Sequence, residues 1–466
     1  MEETSPEKGR RKMRGTLTRS LAVAVVVAGV VFAGCGGTPG SSNEGASEAP
    51  ETVSTDISKA EPMTLDVWTF ETSREALLKA AGEAFTAKYP NIKVKVVLRD
   101  FSAYPSQVKL ALSSDKAPDV VQGNLGWSLD GPLLQAGLII DPTKYNEEYG
   151  WSERFPPEGR RILEFTPDGK TYGSGTLVGI AYTADIIGFF YNKEKLQQLG
   201  LEVPKSIEEL EAAMQKAKDA GEIGLMMGNG DGTMALHTYF NVSNQLASGD
   251  TVRGIVYGED GASFTDQGMV DGAAKVQEWV EKGFVPKGAN GLAGDDAIAR
   301  FAKDEGVFLS TGSWGAPQLG EAMKENVGFF LPPPVTAGDA SRATGSFGAA
   351  YEIAAKGENP DVSAAFLDFL AGAEVAQMVA EAGDLPSFPL DSPVEPRFGV
   401  DGEIQKAFEQ VNEADGLIPY LDATTPTLGS EVIYPGMQDL VAGKVTPEAL
   451  MEKAQADREA FLSKQR

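Results

Sequence analysis

Hydrophobic and polar positions alternate over Met63–Phe70, with Leu65 and Val67 on one face, and then recur every three to four residues from Ser73 to Tyr89. The first pattern predicts a strand and the second a helix. Ile92–Leu98 alternates again, so strand, helix and strand follow at the spacing of a right-handed crossover unit, which implies a parallel sheet covered by helices. The rhythm continues downstream. A helix over Tyr104–Ser113 leads to a short strand at Ala117–Val121, and a helix over Ser128–Ala136 stops at Gly137, a favoured residue just past a helix end. The long apolar run Gly179–Tyr191 reads as a buried strand. Ser206, with Glu209 three residues on, begins a helix that runs to about Ala220. Asp296–Ala302 reads as a helix ahead of the strand Gly306–Ser310. Ala349–Ala355 is a candidate crossing strand near the start of a helix at Pro360–Leu370, and Pro447–Lys464 is an amphipathic helix. No tandem repeat is present; what recurs is the unit.

A different pattern opens the chain. Basic residues between Lys8 and Arg14 precede the apolar run Leu21–Ala33, and Gly34 and Cys35 follow. This order is that of a lipoprotein export signal over residues 1–34, cut ahead of Cys35, which then accepts the lipid. The run is well short of the roughly 20 residues of a spanning helix. Cys35 is the one cysteine in 466 residues, so it has no internal disulfide partner. A plain signal peptide or an N-terminal membrane anchor is the alternative. From Gly36 to about Ala60 the chain is Gly, Ser, Thr, Pro, Glu and Ala with almost no large apolar side chain, which predicts a flexible tether over 35–60.

Composition narrows the function classes. The net charge is −26, and loss of residues 1–34, which carry six Lys/Arg and three Asp/Glu, takes it to −29. Such a surface repels nucleic acid and anionic lipid and favours a soluble monomer. About 430 residues remain after that cut, more than one hydrophobic core organises, so two lobes are expected. With 42% hydrophobic residues and no further cysteine, burial alone holds them together.

Several blocks in one order carry a resemblance. They are Val67-Trp-Thr-Phe70, Phe85-Thr-Ala-Lys-Tyr-Pro-Asn-Ile-Lys-Val94, Ala117-Pro-Asp-Val-Val121, Leu134-Gln-Ala-Gly-Leu138, Tyr191-Asn-Lys193 and Pro204-Lys-Ser-Ile-Glu-Glu-Leu210. Thr311-Gly-Ser-Trp314, Val327-Gly-Phe-Phe-Leu-Pro332, the run Asn359–Leu370 and Asp384-Leu-Pro386 complete the series. Over roughly Met63 to Lys464 the chain resembles the extracellular solute-binding proteins of ATP-binding-cassette (ABC) importers, in the sugar-binding branch that includes the maltodextrin-binding protein. The resemblance implies an α/β, two-lobed periplasmic-binding-protein-like fold, each lobe a mainly parallel sheet flanked by helices, joined by a hinge. By analogy the chain crosses near Gly179–Ala184 and again near Gly345–Ala350, so 61–181 plus 347–390 form the N-terminal lobe and 182–346 plus 391–466 the C-terminal lobe. Together with the export signal and the acidic tether, this predicts a lipid-anchored protein on the outer face of the cytoplasmic membrane. There it captures a sugar or oligosaccharide and delivers it to the permease subunits of an ABC importer.

Sugar recognition combines aromatic faces for C–H surfaces with planar carboxylates or amides for paired hydroxyls. Trp68, Phe70 and Glu71 close the first strand, where open α/β sheets place ligands. Trp68 serves equally well as core, and Glu71 as a cap for the following helix. Asn124 and Trp127 follow the strand ending at Val121, a position that in related proteins lines the cleft. Tyr182 and Asp185 lie on the first crossing segment, where relatives present an aromatic and an acidic residue. Ile187 stands near a place where many relatives have Arg, which argues against a strongly acidic sugar there. Trp314, after a glycine turn, is the sharpest candidate, with buried core as the alternative. Gly228–Gly232 offers an adaptable loop, or a mere turn cluster, with Asn229 and Asp231 as hydroxyl acceptors. His237 and Tyr239 follow, and Phe347 lies near the second crossing; a lone histidine in such a setting is more often packed than liganded.

An exported enzyme is the rival from another class, because 67 acidic residues suffice to hold the paired carboxylates of a glycoside hydrolase. No Gly-x-Ser-x-Gly nucleophile motif, Cys-His arrangement or glycine-rich phosphate loop is present, and one histidine excludes the usual zinc sites. The expectation is no enzyme, no cofactor and no metal. Peptides, polyamines and other polar solutes remain alternatives on the same fold. The aromatic candidates favour a neutral sugar, whereas a cationic solute would ask for several inward carboxylates.

Overall fold

The computed structural model describes residues 52–101 and 103–465. The expected export signal, Cys35 and residues 35–51 of the expected tether lie outside them. The first crossover unit forms as its periodicity predicts: strand β1 at Met63–Thr69, helix α1 at Glu75–Lys88 and strand β2 at Ile92–Leu98. β1 and β2 pair in parallel from Met63 opposite Ile92 to Thr69 opposite Leu98. Leu65 and Val67 point into the core with no accessible surface, as do Ala81 and Phe85 of α1. Gly82 lets α1 lie close on the sheet, because a Cβ there would come within 2.8 Å of Val94. Phe85 meets Phe366 and Phe369 of the helix Pro360–Leu370 at 5.2 and 5.5 Å between ring centres, which locks the two helices over one face.

Helix α2 spans Tyr104–Ser113 and leads to strand β3 at Val120–Gln122, parallel to β1. The strand Tyr351–Ile353 closes this four-stranded sheet antiparallel to β3. Residues 52–60, expected to be tether, instead dock against this lobe. Ile57 is buried, Asn91 Nδ2 donates to the carbonyls of Ile57 and Ala60 at 3.3 and 2.9 Å, and the Ser54 amide donates to Asp361 Oδ1 at 3.1 Å. One apolar anchor and a few backbone hydrogen bonds suffice to hold an otherwise polar segment, and composition averages over such an anchor.

The second sheet is organised by the long strand Thr183–Asn192, expected at Gly179–Tyr191 and buried along most of its length. It runs antiparallel to Phe308–Gly312, Val327–Phe330, Ala343–Ser346 and Leu385–Pro386. Parallel pairing is confined to Leu225–Met226 against Phe308–Gly312 and Ala343–Ser346 against Leu417–Ile418. This sheet is therefore mixed where mainly parallel pairing was expected. A strand buried on both faces shows the same apolar run whichever way its neighbours point, so sequence pattern does not report the direction.

The chain passes between the sheets twice, side by side. Ile180 bridges Tyr351 beside the first sheet, and three residues later Thr183 pairs with Pro386 in the second. The passage is tight enough to demand glycine: Gly348 has φ +82°, and a Cβ on it would lie 2.1 Å from the Thr183 carbonyl oxygen. The tail helix Pro447–Gln465 buries Leu450, Met451, Ala454 and, on the same stripe, Arg458. That arginine donates to the carbonyls of Gly254, Ile255, Glu259 and Ala262 at 2.8–3.1 Å, so it caps the helix Gly249–Val256 from a distance in sequence. No single helix among the described residues is long and apolar enough to cross a membrane.

Candidate ligand-binding cleft

Arg74, in the turn between β1 and α1, sits at the junction of the two sheets with only 3% of its surface exposed. Its guanidinium forks onto Asp384 through Nε at 2.5 Å and Nη2 at 2.8 Å, and onto Asp185 through Nη2 at 2.6 Å and Nη1 at 3.4 Å. Nη1 also reaches Glu71 at 3.0 Å. One cation thus faces three carboxylates drawn from the end of the first strand, the crossing strand and the segment after Ala373–Glu381. Burial pushes the Glu71 and Asp185 carboxyls upward, and Arg74 pulls both back toward ionisation. Tyr182 lies buried beside this cluster with its ring 5.7 Å from Tyr351.

An aromatic wall adjoins the charges. Trp314 stands edge-on to His237 at 5.5 Å, His237 lies 6.4 Å from Phe240, and Phe240 meets Tyr420 edge-on at 6.1 Å. Gly312 makes the Trp314 position available, since a Cβ there would collide with the indole at 2.0 Å. The His237 Nδ1 has no partner among the described residues, and burial lowers the imidazole to about 4, so it is neutral at physiological pH. Tyr420 feels Asp185, Asp422, Arg74 and Glu71, which ties the wall to the Arg74 cluster. Asp422 Oδ2 accepts from the Tyr434 hydroxyl at 2.7 Å, while its Oδ1 is buried without a partner among the described residues.

The other expected site residues fall into different settings. Trp68 is partly buried under the Arg99 guanidinium at 4.2 Å, and Phe70 packs between Phe101 and Tyr104, each at 5.1 Å. Asn124 and Trp127 sit on a loop pinned by Asp130, whose Oδ1 accepts the Asn124 amide at 2.7 Å. Trp127 is buried edge-on against Phe165 and Phe461. Beneath this loop Asp130 lies close to the fully buried Glu352: burial raises Glu352 well above the carboxylate range and Asp130 to about 7, so Glu352 keeps its proton at neutral pH. Asp231 is exposed and caps the helix Thr233–Leu246, with Oδ1 accepting from the Thr233 amide at 3.0 Å. Tyr239 is fully buried with its hydroxyl on the Met451 sulfur at 3.1 Å. Phe347 is buried between Phe155 and Phe408, and its carbonyl accepts from Ser387. The structure therefore brings together Glu71, Tyr182 and Asp185, and separately Trp314 and His237; Asp231, Tyr239 and Phe347 are engaged elsewhere.

Residues 80–400 match the family described as bacterial extracellular solute-binding protein. The chain belongs to this family. Members are exported transport proteins, which agrees with the order of elements and the paired crossings. This solute-binding protein is 22% identical over 340 residues to the multiple sugar-binding protein of Streptococcus mutans, an alignment that covers 71% of the chain and 76% of the relative. Among solved structures, a chitin oligosaccharide binding protein superposes with a TM-score of 0.74 at 21% identity, covering 86% of this chain and all of that one. The raffinose complex of the solute-binding protein RafE superposes with a TM-score of 0.67 at 20% identity, covering 86% and 99%. These likenesses show the two-lobed fold. Arg74, Asp384, Tyr420 and Asp422 escaped the sequence reading of this solute-binding protein. Arg74 alone leaves a signal, as an isolated cation beside a candidate acid at a strand end; Asp384 opens the block Asp384-Leu-Pro386, with nothing to mark its role.

Proposed function

We propose that this solute-binding protein captures a sugar or oligosaccharide by closing its lobes over it and delivers it to the permease subunits of an ABC importer. The observation that carries the reading is the aromatic wall of Trp314, His237 and Tyr420 adjoining buried carboxylates with open acceptor oxygens, because stacking faces beside planar acceptors are what sugar rings require. In this reading the lobes are 61–181 with 347–390 and 182–346 with 391–466, the protein acts as a monomer without cofactor or catalysis, and lipid on Cys35 holds it at the outer face of the cytoplasmic membrane. The relatives named for sugars, chitin oligosaccharide and raffinose support the choice of solute. Closure is supported by contacts that join distant segments, such as Arg161 on Glu259 at 3.0 Å and over the Tyr257 ring at 3.8 Å. A solute touching both lobes favours the closed state by its extra contacts there.

A thermal-shift screen of the full chain against mono- and oligosaccharides, amino acids, peptides and polyamines tests the solute. A ligand at a hundred times its dissociation constant adds about 2.7 kcal/mol to folded stability, which such a screen detects. A sugar among the hits is the expected result; hits confined to peptides or polyamines refute the choice of sugar. An unchanged radius of gyration on binding refutes closure.

A further inference from the structure

The first sheet ends in an aromatic that neither the Arg74 cluster nor the Trp314 wall uses. In the sheet order Tyr351–Ile353, β3, β1, β2, the passage between the sheets lies at one end, where Ile180 bridges Tyr351, and β2 is the outermost strand at the other. β1, β2 and β3 are parallel, with Thr69 beside Leu98 and Trp68 beside Val121, so the residues that follow the three strands line one edge. Outward from the passage, that edge presents Asn124 after β3, Phe70 and Glu71 after β1, and Phe101 after β2. Neighbouring strands lie about 4.8 Å apart, which places the end of β2 one such step farther out than Glu71.

Phe101 is 40% exposed, and it is the aromatic one of three large apolar side chains that stand out among the described residues. A single exposed apolar side chain is ordinary. The second observation is how firmly this ring is held. Phe70 lies 5.1 Å from it and meets Tyr104 edge-on at 5.1 Å, and the Tyr104 hydroxyl donates to the Gln122 carbonyl at 2.7 Å. Thr69 Oγ1 donates to Gln122 Oε1 at 2.7 Å, and the Arg99 amide to the Thr69 carbonyl at 2.9 Å. The ends of all three strands are thereby tied together under Phe101. A ring fixed before the solute arrives loses little freedom on binding, so its stacking energy goes into affinity.

Glu71 joins this edge to Arg74, which also grips Asp185 of the second sheet, and Tyr420 sits in the field of the same three groups. A solute held at Tyr420 and Trp314 thus has a further aromatic face available, farther from the passage. Resting on the sugar reading above, we propose that the solute is an oligosaccharide, with one unit against the wall of Trp314 and Tyr420 and a later unit stacked on Phe101 at the outer end of the cleft. Phe101 then reads length: it touches only units added beyond the first, and a single ring at the wall leaves it in water.

The test is calorimetry of the full chain with sugars of increasing length: glucose, maltose and maltotriose; N-acetylglucosamine with its β-1,4 dimer and trimer; and sucrose, raffinose and stachyose. In at least one series affinity rises with length. In that series Phe101→Ala weakens the longer members roughly three- to tenfold and leaves the shortest member that binds within about twofold. Phe101→Leu, which keeps an apolar side chain in place and removes the aromatic face, shows the same length-dependent loss, and Phe101→Tyr restores the affinity. Equal loss at every length, or no loss at any, overturns the role of Phe101. Wild-type affinity confined to single rings, or flat with length, overturns the oligosaccharide and leaves the sugar reading standing. Silence from all three series overturns the proposal, and the broader screen with peptides and polyamines then decides the sugar reading separately.

Discussion

Arg74→Met removes the guanidinium while keeping the length of the side chain, so it isolates charge from cavity formation. The three carboxylates it serves have only 16%, 10% and 4% of their side-chain surface exposed. Breaking a buried pair by deleting one partner costs about 3–5 kcal/mol, because the partner charges stay out of water. The cost depends on pH. Burial already raises the Glu71 and Asp185 carboxyls, and loss of Arg74 takes away the pull that opposes it. In the variant these groups bind protons in the folded state at pH values where the unfolded chain has released them, so its stability falls as pH rises above the ordinary carboxylate range. Urea unfolding at pH 5.5 and 7.5 reads both effects. The expected result is a loss of about 3–5 kcal/mol at pH 7.5 and a loss smaller by at least about 1 kcal/mol at pH 5.5, with the denaturant slope unchanged. A loss below about 1 kcal/mol at both values, the range of an exposed pair, refutes the account of Arg74 as a buried hub.

Three further perturbations test other parts of the structure. Asp130 moves from 3.8 to about 7 on folding, so its share of wild-type stability falls as pH rises from about 4 to about 7; at 1.36 kcal/mol per unit that share is about 4 kcal/mol, and Glu352, raised further still, adds to the fall. Glu352→Gln removes the Glu352 share and should reduce the fall over that stretch of the melting-temperature profile, and a profile identical to wild type refutes a Glu352 that stays protonated in the fold. Trp314→Ala should weaken sugar binding by about 1–3 kcal/mol through loss of one stacking face, measured by calorimetry, and unchanged affinity places the indole outside the site. Arg458→Ala leaves the carbonyls of residues 254, 255, 259 and 262 without their shared donor, so a loss of about 3 kcal/mol is expected in urea unfolding. Arg458→Lys should recover little of it, because an ammonium lacks the planar fork.

Local elements were legible wherever periodicity and breakers agreed. β2 at Ile92–Leu98, α2 at Tyr104–Ser113 and the helix Pro360–Leu370 have the ends that their apolar spacing predicts, and Ser206 caps its helix by accepting the Glu209 amide at 3.1 Å. Glu209 itself reaches the Lys205 amide at 2.8 Å, one residue short of the cap that its spacing suggests. The docking of residues 52–60 was hidden because a single Ile57 barely alters the composition of a polar stretch. At the cleft, Glu71, Tyr182 and Asp185 could be nominated from strand ends and family resemblance, and Trp314 from its glycine turn. Their neighbours could not: Asp384 lies 310 residues from the arginine it grips.

The sequence by itself determined where strands and helices lie, that the chain is acidic and alternates strand with helix, and which family it joins. These properties depend on contacts within a few residues, or on sums over the whole chain, and both survive in a linear string. Only the tertiary structure decided the mixed order of the second sheet, the burial of Arg458 on an otherwise apolar stripe, and the gathering of Glu71, Asp185 and Asp384 around Arg74. Strand direction, desolvation and the balance of buried charge depend on which distant segments meet, and chain folding sets that meeting through burial summed over many residues at once, so no single residue or spacing encodes it.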